Sequence, residues 1–362
     1  MLARDIVVIG ASAGGVETSV ALVSRLPADL PAAVFIVVHI APSATSVLPQ
    51  ILSRESSLPA HHGMDGEPIR HGVIYVAPPD QHLLIEGGCV RLGTGPRENG
   101  SRPAVDALFR SAAAHCGART VGIVLSGNLD DGSLGMRAIK RAGGIAIVQD
   151  PEEAFFPSMP QNAILYNEID YVLGVDEMPD VIVKLSRTRM TEDRLMHRDR
   201  ESGRPPAPYA DIRTGRDAPR GDEPVTTASS ADERAGLPAS GFTCPECHGA
   251  LWEVVDGALV RYRCRVGHTY SPSALLGEHG RSLDAALWTA LTALEEHKAL
   301  QRRMIARSER SGNFLSAARL ADRVRDLDAR AALIRQVLAL GPLAPDLVES
   351  GDDSVVGRES SA

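Results

Sequence analysis

Short apolar runs recur through the first half of the chain, and longer segments of helical periodicity separate them. These runs are rich in β-branched residues and do not alternate with polar positions; they cover 6–9, 34–38, 73–76, 121–125 and 145–148. Strands buried on both faces require such continuous runs, so the pattern predicts a mainly parallel sheet covered by helices. The runs 83–86 and 90–92 flank Gly87-Gly88 and predict an antiparallel hairpin. We therefore expect a doubly wound α/β domain over 1–185 with a small β-hairpin excursion.

The second half of the chain shows three different patterns. Residues 186–240 are rich in arginine, acidic residues and proline and poor in apolar residues, which predicts a disordered mixed-charge linker. A compact cysteine-bearing segment follows over 241–270 and predicts a small zinc-ribbon-like module. Leucines at steps of three and four then predict a helical hairpin or coiled coil over 271–345. The acidic, serine-rich residues 346–362 predict a disordered tail.

Composition narrows the classes of function. The chain has 362 residues, of which 44% are hydrophobic, and a net charge of -8 at pH 7. General nucleic-acid and membrane-surface binders usually carry a basic excess, so we expect protein or small-molecule partners and no nucleic acid. Five cysteines are too few for a disulfide scaffold, and no apolar run approaches the ~20 residues of a membrane span. These features predict a cytoplasmic protein without direct membrane insertion.

Ser12 is a candidate nucleophile. It lies in the string GASAGG at 10–15, between the first apolar run and a predicted helix. A serine on a tight strand-to-helix turn presents its hydroxyl at the carboxyl edge of the sheet, next to backbone N–H groups. The same string also imitates the dinucleotide fingerprint GxGxxG, and glycine can serve simply to make the turn. A nucleotide-binding oxidoreductase is therefore an alternative, although His39 stands where the acidic partner of a ribose belongs.

Two more strand ends supply the other residue types of a catalytic triad. His39 ends the second apolar run, and the adjacent Asp130 and Asp131 follow the fourth. If the strands are parallel, their carboxyl ends meet at one edge, where open α/β folds bind ligands. An Asp-Gly turn that caps the next helix is a sufficient structural alternative for either aspartate. The chain order Ser, His, Asp differs from that of α/β-hydrolases, which indicates another hydrolase family.

Six sequence blocks in one order resemble the catalytic domain of the chemotaxis protein-glutamate methylesterases (CheB-like). The resemblance covers roughly 4–185 and rests on IVVIGASAGGVE, VVHI, GVIYVAPPDQHLLI, RPAVDALFRSAA, SGNLDDGSLGMRAIKRAGG and SMPQNAI. It implies Ser12 as nucleophile, His39 as general base and acid, and Asp131, directly before Gly132, as the carboxylate that orients His39. The family pattern GMGxDG is here GNLDDG, and Ala13 replaces a usual threonine. Family members of the two-domain type carry a receiver domain before the esterase, and we expect none here.

The resemblance implies hydrolysis of glutamate γ-methyl esters on receptor proteins, with release of methanol and possible glutamine deamidation. No cofactor is expected for catalysis. Expected partners are methylated receptors, with a glutamate methyltransferase or a sensor kinase as further candidates. His82, in the APPDQH block, is predicted either to border the site or to serve a structural hydrogen bond. A catalytically weak scaffold that binds receptor or kinase helices is the alternative from another class.

The cysteine-bearing segment has the ligand spacing of a zinc ribbon. Cys244 and Cys247 form a CxxC pair, and Cys264 and His268 form CxxxH after 16 intervening residues. Three thiolates and one imidazole satisfy tetrahedral zinc, so we expect one structural zinc ion there. A labile disulfide or a redox CxxC is the alternative, and His248 is a competing ligand. The leucine-patterned helices that follow predict a core or a surface for homo-oligomerisation.

Overall fold

A computed structural model describes residues 3–40, 46–188, 239–256 and 259–341. The chain forms two compact units, Met1–Ala274 and Leu275–Ala362. Most of the predicted linker 186–240 and the whole predicted tail 346–362 lie outside the described residues. A helix and a strand occupy the two described ends of that linker segment.

Strands and helices alternate through the first part of the chain, as the apolar runs predict. The strands are β1 (Ile6–Ala11), β2 (Ala33–Val38), β3 (Ala60–His62), β4 (Ile74–Val76), β5 (His82–Glu86), β6 (Cys89–Gly93), β7 (Thr120–Val124), β8 (Ile145–Gln149), β9 (Tyr171–Leu173), β10 (Ala239–Thr243), β11 (Ala250–Asp256), β12 (Leu259–Cys264) and β13 (Thr269–Tyr270). The helices are α1 (Gly15–Val23), α2 (Leu48–Glu55), α3 (Val105–Cys116), α4 (Ser133–Arg141), α5 (Ser158–Tyr166), α6 (Met178–Arg187), α7 (Pro272–Arg310) and α8 (Phe314–Ala339).

Residues up to 188 form an α/β domain around a seven-stranded parallel sheet in the order β3-β4-β2-β1-β7-β8-β9. The predicted doubly wound α/β fold is confirmed, and so is the separate hairpin of β5 and β6. The sequence pattern missed β3 and β9, which have only three residues each. Neither is long enough to give a recognisable apolar run, and both lie at the edges of the sheet.

Two apolar layers hold this domain together, one on each face of the sheet. Successive strand residues point to opposite faces, so Val7 and Ile9 pack in one layer while Ile6 and Val8 pack in the other. Helices cover both faces, which explains why the strands are apolar at every position. Strand order reverses between β1 and β7, and ligands of open α/β sheets bind at the carboxyl ends of strands beside such a reversal.

Residues 239–270 form a second structure within the first unit, which we call the cysteine module. Its strands make a four-stranded antiparallel sheet in the order β10-β11-β12-β13. Few of its described side chains are buried; they are Cys244, Leu251, Leu259, Cys264 and Tyr270. So small a core supplies little hydrophobic stabilisation, and small domains of this kind usually need metals or disulfides.

The second unit contains the remainder of α7 and the whole of α8, joined by a turn at 311–313. Asn313 caps α8, because its side-chain oxygen accepts a hydrogen bond from the N–H of Ser316. Lys298 of α7 is paired with Asp328 of α8 at 2.6 Å, and Glu295 is paired with Arg335. These pairs run in opposite chain directions, so the two helices form an antiparallel hairpin. Self-association through this hairpin stays a prediction.

Candidate active site and metal-binding group

Ser12 lies in the turn between β1 and α1, at the carboxyl edge of the sheet. Its N–H donates to the carbonyl of Ser126, which follows β7, at 3.0 Å. A Cβ on Gly127 would lie 2.8 Å from the Cβ of Ser12, so only glycine permits this loop to pack so closely on the serine. The turn itself uses Gly14 at φ 70, a conformation that side chains other than glycine rarely adopt.

His39 follows β2 directly beside Ser12. Strands β1 and β2 are parallel with Ala11 opposite Val38, and the His39 N–H donates to the Ala11 carbonyl at 3.2 Å. Nε2 of His39 lies 2.7 Å from Oδ2 of Asp131. That contact leaves Nδ1 as the ring nitrogen available to a neighbouring hydroxyl. The structure thus joins His39 to Asp131 by a hydrogen bond and places Ser12 at the adjoining strand end, so the three residues proposed as a triad follow three neighbouring strands, β2, β1 and β7.

Asp131 is the carboxylate that contacts the histidine, and Asp130 is not. Asp131 Oδ2 also accepts the N–H of Val105 at 2.8 Å, and its Oδ1 accepts the N–H of Asp106 at 3.1 Å. Burial alone raises the pKa of Asp131, but His39 and these two N–H groups outweigh it and hold that pKa below its usual value. Asp131 is therefore ionised at neutral pH and can stabilise a protonated His39.

The pKa of Asp130 is shifted in the opposite direction to that of Asp131. Burial, with a smaller contribution from the charge of Asp131, raises the pKa of Asp130 to about 6, even though Ser271 donates a hydrogen bond to it. The two neighbouring aspartates therefore differ in their readiness to ionise. The carboxylate that contacts His39 is Asp131, the one that the family resemblance implied.

Two residues at this edge were missed by the sequence reasoning. Asn99 and Asp106 are 8% and 1% exposed. The side-chain amide of Asn99 and the backbone N–H of Asp106 both donate to the Asp131 carboxylate. Asp106 Oδ1 accepts the N–H groups of Gly132 and Gly135 at 3.0 and 2.6 Å and so caps the start of α4. Burial, followed by the charge of Asp131, raises the pKa of Asp106. An aspartate in the first turn of α3 was the available signal for Asp106, whereas nothing in the local sequence singles out Asn99.

His82 serves a structural hydrogen-bonding role. Its Nδ1 accepts the N–H of Ala104 at 3.3 Å, and its Nε2 donates to the carbonyl of Pro96 at 3.0 Å. Burial lowers the pKa of this imidazole, which favours the neutral ring that such a donor–acceptor pair requires. His82 therefore tethers the two ends of the loop that contains Asn99.

Backbone donors for a developing oxyanion are present beside Ser12. Within the described residues, the N–H groups of Ala13 and Gly14 have no backbone or side-chain acceptor. They precede α1, whose N-terminal end carries a positive partial charge. Preorganised donors of this kind are commonly the largest contribution to acyl-transfer catalysis. The turn thus places the Ser12 hydroxyl next to two backbone N–H groups suited to stabilise an oxyanion.

The cysteine module brings its four expected ligands together. The ligand atoms of Cys244, Cys247, Cys264 and His268 all lie within 4.8 Å of one another; we call these residues the metal group. Sγ of Cys247 is 3.6 Å from Sγ of Cys264, and Nδ1 of His268 is 3.5 Å from the sulfurs of Cys244 and Cys264. Ligands about 2.3 Å from a tetrahedral zinc ion are separated by about 3.8 Å, so the spacing fits zinc.

The alternatives to a metal fit less well. The sulfurs of Cys247 and Cys264 are 3.6 Å apart, much longer than the ~2.05 Å of a disulfide, and Cys244 is likewise a free cysteine. His248 lies outside the metal group. The outer nitrogen of His268, Nε2, lies 3.2 Å from a carboxylate oxygen of Glu246. Histidines that bind metals generally donate their second ring N–H to such a partner, which fixes the ring.

Comparison with known proteins assigns the α/β domain to a family. The family model described as CheB methylesterase matches residues 7–182. A Leptospira interrogans protein named for protein-glutamate methylesterase and protein-glutamine glutaminase is 33% identical over 189 residues, which cover 52% of this chain and 98% of that protein. The chain belongs to the CheB methylesterase family.

Other CheB-family relatives match the same region. Protein-glutamate methylesterase/protein-glutamine glutaminase 2 of Methanosarcina mazei is 38% identical over 51% of this chain and 52% of its own length. The Anaeromyxobacter dehalogenans protein of that name is 39% identical over 51% of this chain and 54% of its own. The chain thus spans about half the length of these relatives. The structure of the Thermotoga maritima CheB methylesterase catalytic domain is 34% identical, with a TM-score of 0.48, over 50% of this chain and 98% of that domain.

The CheB-family match contains Ser12, His39 and Asp131, whereas the metal group lies outside it. One departure from the family pattern has a visible backbone consequence. Leu129, where the sequence resemblance expects glycine, has φ 64, which a leucine adopts only with strain. Ser158 and Asn162 hold this conformation by donating to the Leu129 carbonyl at 3.2 and 2.9 Å. In the described part of the chain, no helix combines the length and apolar character needed to cross a membrane.

Proposed function

We propose that this protein is a serine esterase that hydrolyses glutamate γ-methyl esters on receptor proteins. The observation that carries the proposal is the His39–Asp131 hydrogen bond of 2.7 Å, formed beside Ser12 at the point where the strand order reverses. Membership of the CheB methylesterase family supports the substrate class, and the names of its relatives add glutamine deamidation. Methylated chemoreceptors are the proposed partners.

The proposed reaction is acyl transfer in two steps. His39 takes the Ser12 proton as Oγ bonds to the ester carbonyl carbon, and the N–H groups of Ala13 and Gly14 stabilise the oxyanion. The bond to the methoxy oxygen then breaks, and His39 returns its proton so that methanol leaves. Water, deprotonated by His39, attacks the acyl-enzyme and frees the glutamate carboxylate and Ser12. Asp131 stabilises the protonated imidazole in both steps and is not itself protonated.

Methanol release from a methylated receptor preparation tests this function. We expect release with the full-length protein and its loss in Ser12→Ala, because no other group in the mechanism supplies the nucleophile. Ser24→Ala is the matched control, since Ser24 is an exposed serine at the end of α1 whose hydroxyl donates to the Ala21 carbonyl. A fluorophosphonate should label the Ser12 peptide. Binding of receptor helices without methanol release or labelling would favour the scaffold alternative.

We also propose that the metal group binds one structural zinc ion. The ligand spacing, the donor set of three thiols and one imidazole, and the Glu246 contact support it. Elemental analysis should give one zinc per chain, and Cys244→Ser combined with Cys247→Ser should abolish it. Cys89→Ser is the control, because Cys89 is a free cysteine on β6. Full zinc retention in the double variant would contradict the assignment.

A further inference from the structure

The cysteine module packs against the loop that leads into α3 of the α/β domain. Within this first unit, Thr269 accepts the N–H of Asn99 at 2.8 Å and donates its own N–H to the Arg97 carbonyl at 3.4 Å. Gly267 has φ 112, and a Cβ there would lie 2.9 Å from Cγ of Pro96. The backbone of the module therefore lies directly against the backbone of residues 96–99.

The side chain of Asn99 connects this contact between the module and residues 96–99 to the triad. Its Oδ1 accepts the N–H of Ser271 at 3.0 Å, and its Nδ2 donates to Asp131 Oδ1 at 3.3 Å and to Asp106 Oδ2 at 3.4 Å. A buried amide with an N–H on its oxygen and two carboxylates on its nitrogen has only one satisfied orientation. The segment after β13 thus fixes the direction of an N–H group that faces the catalytic carboxylate.

Ser271 also contacts the second aspartate of the pair. Its hydroxyl donates to Asp130 Oδ1 at 2.6 Å and accepts the N–H of Ala274 at 3.0 Å, so it caps the start of α7 at the same time. A separate ion pair, Arg141 to Asp256 at 2.8 Å, ties β11 to the end of α4. These contacts hold the module to the α/β domain, and the one made by Ser271 adjoins Asp131.

The metal group lies next to this contact in the chain. His268 immediately precedes Thr269, and its carbonyl accepts the Cys264 N–H at 3.0 Å within the same turn. Because the module has few other buried side chains, a bound metal would fix the path of residues 264–271. We propose that the metal-loaded module positions the triad carboxylate through Asn99, so that zinc occupancy sets the reactivity of Ser12. Asn99 is a positioning residue, because it reaches the reacting atoms only through Asp131.

This inference rests on the proposed esterase triad, and a metal-by-mutation cycle on the full-length protein tests it. The rate of Ser12 labelling by a fluorophosphonate is measured with zinc bound, after zinc removal by a chelator, and after zinc is restored. In the wild type we expect removal to slow labelling about tenfold, reversibly, as for coupled groups in one hydrogen-bond network. Asn99→Ala should be slow in both states, with less than about a twofold further loss on zinc removal.

Asn167→Ala is the matched control, because its amide donates to the carbonyls of Ser133 and Ala163 and, among the described residues, forms no hydrogen bond with the triad or the module. It should retain the wild-type response to zinc. A second readout is the low-field proton resonance of the His39–Asp131 hydrogen bond, which should broaden or shift on zinc removal while the far-ultraviolet circular dichroism of the sheet and helices is kept.

The outcomes separate the two proposals. If the zinc-loaded wild type is never labelled at Ser12, the esterase proposal fails. If Ser12 is labelled equally fast with and without zinc, the triad stands and the positioning role of the module is overturned. An Asn99→Ala variant that loses the full tenfold on zinc removal would show that any coupling bypasses Asn99, which also overturns the inference.

Discussion

In the α/β domain, apolar side chains form a continuous layer on each face of the sheet, whereas the cysteine module buries only a few side chains around its metal group. The first arrangement distributes stability over many contacts, so that no single side chain is decisive. With zinc bound as proposed, the second arrangement would concentrate stability in the four residues of the metal group. One chain therefore joins a domain with a large apolar core to a small module with little core, and their contact lies beside the proposed active site.

The largest expected effect comes from removing one ligand of the metal group. Structural zinc contributes about 10–16 kcal/mol of apparent binding free energy in small zinc modules, so Cys264→Ser should lose zinc and unfold the cysteine module. Hydrogen exchange should show lost protection over β11 and β12, with protection retained in β1 and β7. Cys89→Ser should leave both regions protected. Equal loss of protection in the sheet would contradict the separate origin of stability.

Truncating a core side chain in the α/β domain tests whether that domain is stabilised independently of the metal group. Phe109 is fully buried on α3, and Phe109→Ala should lower the free energy of unfolding by about 3–5 kcal/mol. The purified variant should still bind one zinc per chain, because the metal group lies outside this core. Leu165→Ala, at a position 70% exposed, should change the stability little. Denaturant unfolding and elemental analysis measure the two effects, and loss of zinc from Phe109→Ala would break the distinction.

Asp130 makes the contact between the two regions sensitive to pH. Its folded-state pKa of about 6 lies above the usual 3.8, so the folded protein binds an extra proton between these values. Protonation of Asp130 therefore stabilises the folded protein. This stabilisation is fully present below about pH 4 and is lost as the pH rises through 6. Asp130→Asn mimics the neutral carboxyl and still accepts from Ser271, so it should stabilise the protein at pH 8 by up to about 3 kcal/mol.

Unfolding measured at pH 4 and at pH 8 checks this prediction. The advantage of Asp130→Asn should shrink towards zero at the lower pH. Asp180→Asn, at an exposed position on α6, should show no comparable pH dependence. An advantage of the same size at both pH values would mean that burial of a charge is not its cause.

The smallest expected effect concerns the strained Leu129. Replacing it by glycine removes the cost of a left-handed leucine, and we expect Leu129→Gly to raise the free energy of unfolding by up to about 1 kcal/mol. Leu129→Ala retains the Cβ atom and should give no such gain. Thermal unfolding of the two variants compares them directly, and a stabilised alanine variant would show that the leucine side chain, not the backbone angle, is the source of strain.

Local patterns in the chain are sufficient to predict the α/β class, the hairpin and the four residues of the metal group. Continuous apolar runs specify strands buried on both faces, and the spacing of CxxC and CxxxH limits how the ligands can meet. The sequence also placed Ser12 and His39 together, because adjacent parallel strands carry their following residues to one edge. These features depend on the periodicity of apolar residues or on the rule that parallel strands end at the same edge of a sheet. Both can be inferred from the amino-acid sequence.

The family resemblance already implied Asp131 as the partner of His39, but the groups that hold its carboxylate in place come from distant segments and follow from the fold. Asp130 and Asp131 are neighbours with the same chemistry, and their different hydrogen bonds and pKa values arise from burial against other segments. The role of Asn99 depends on Ser271, which is 172 residues away in the chain. Contacts of this range carry no local pattern, because burial and hydrogen-bond geometry are set by the packing of whole elements.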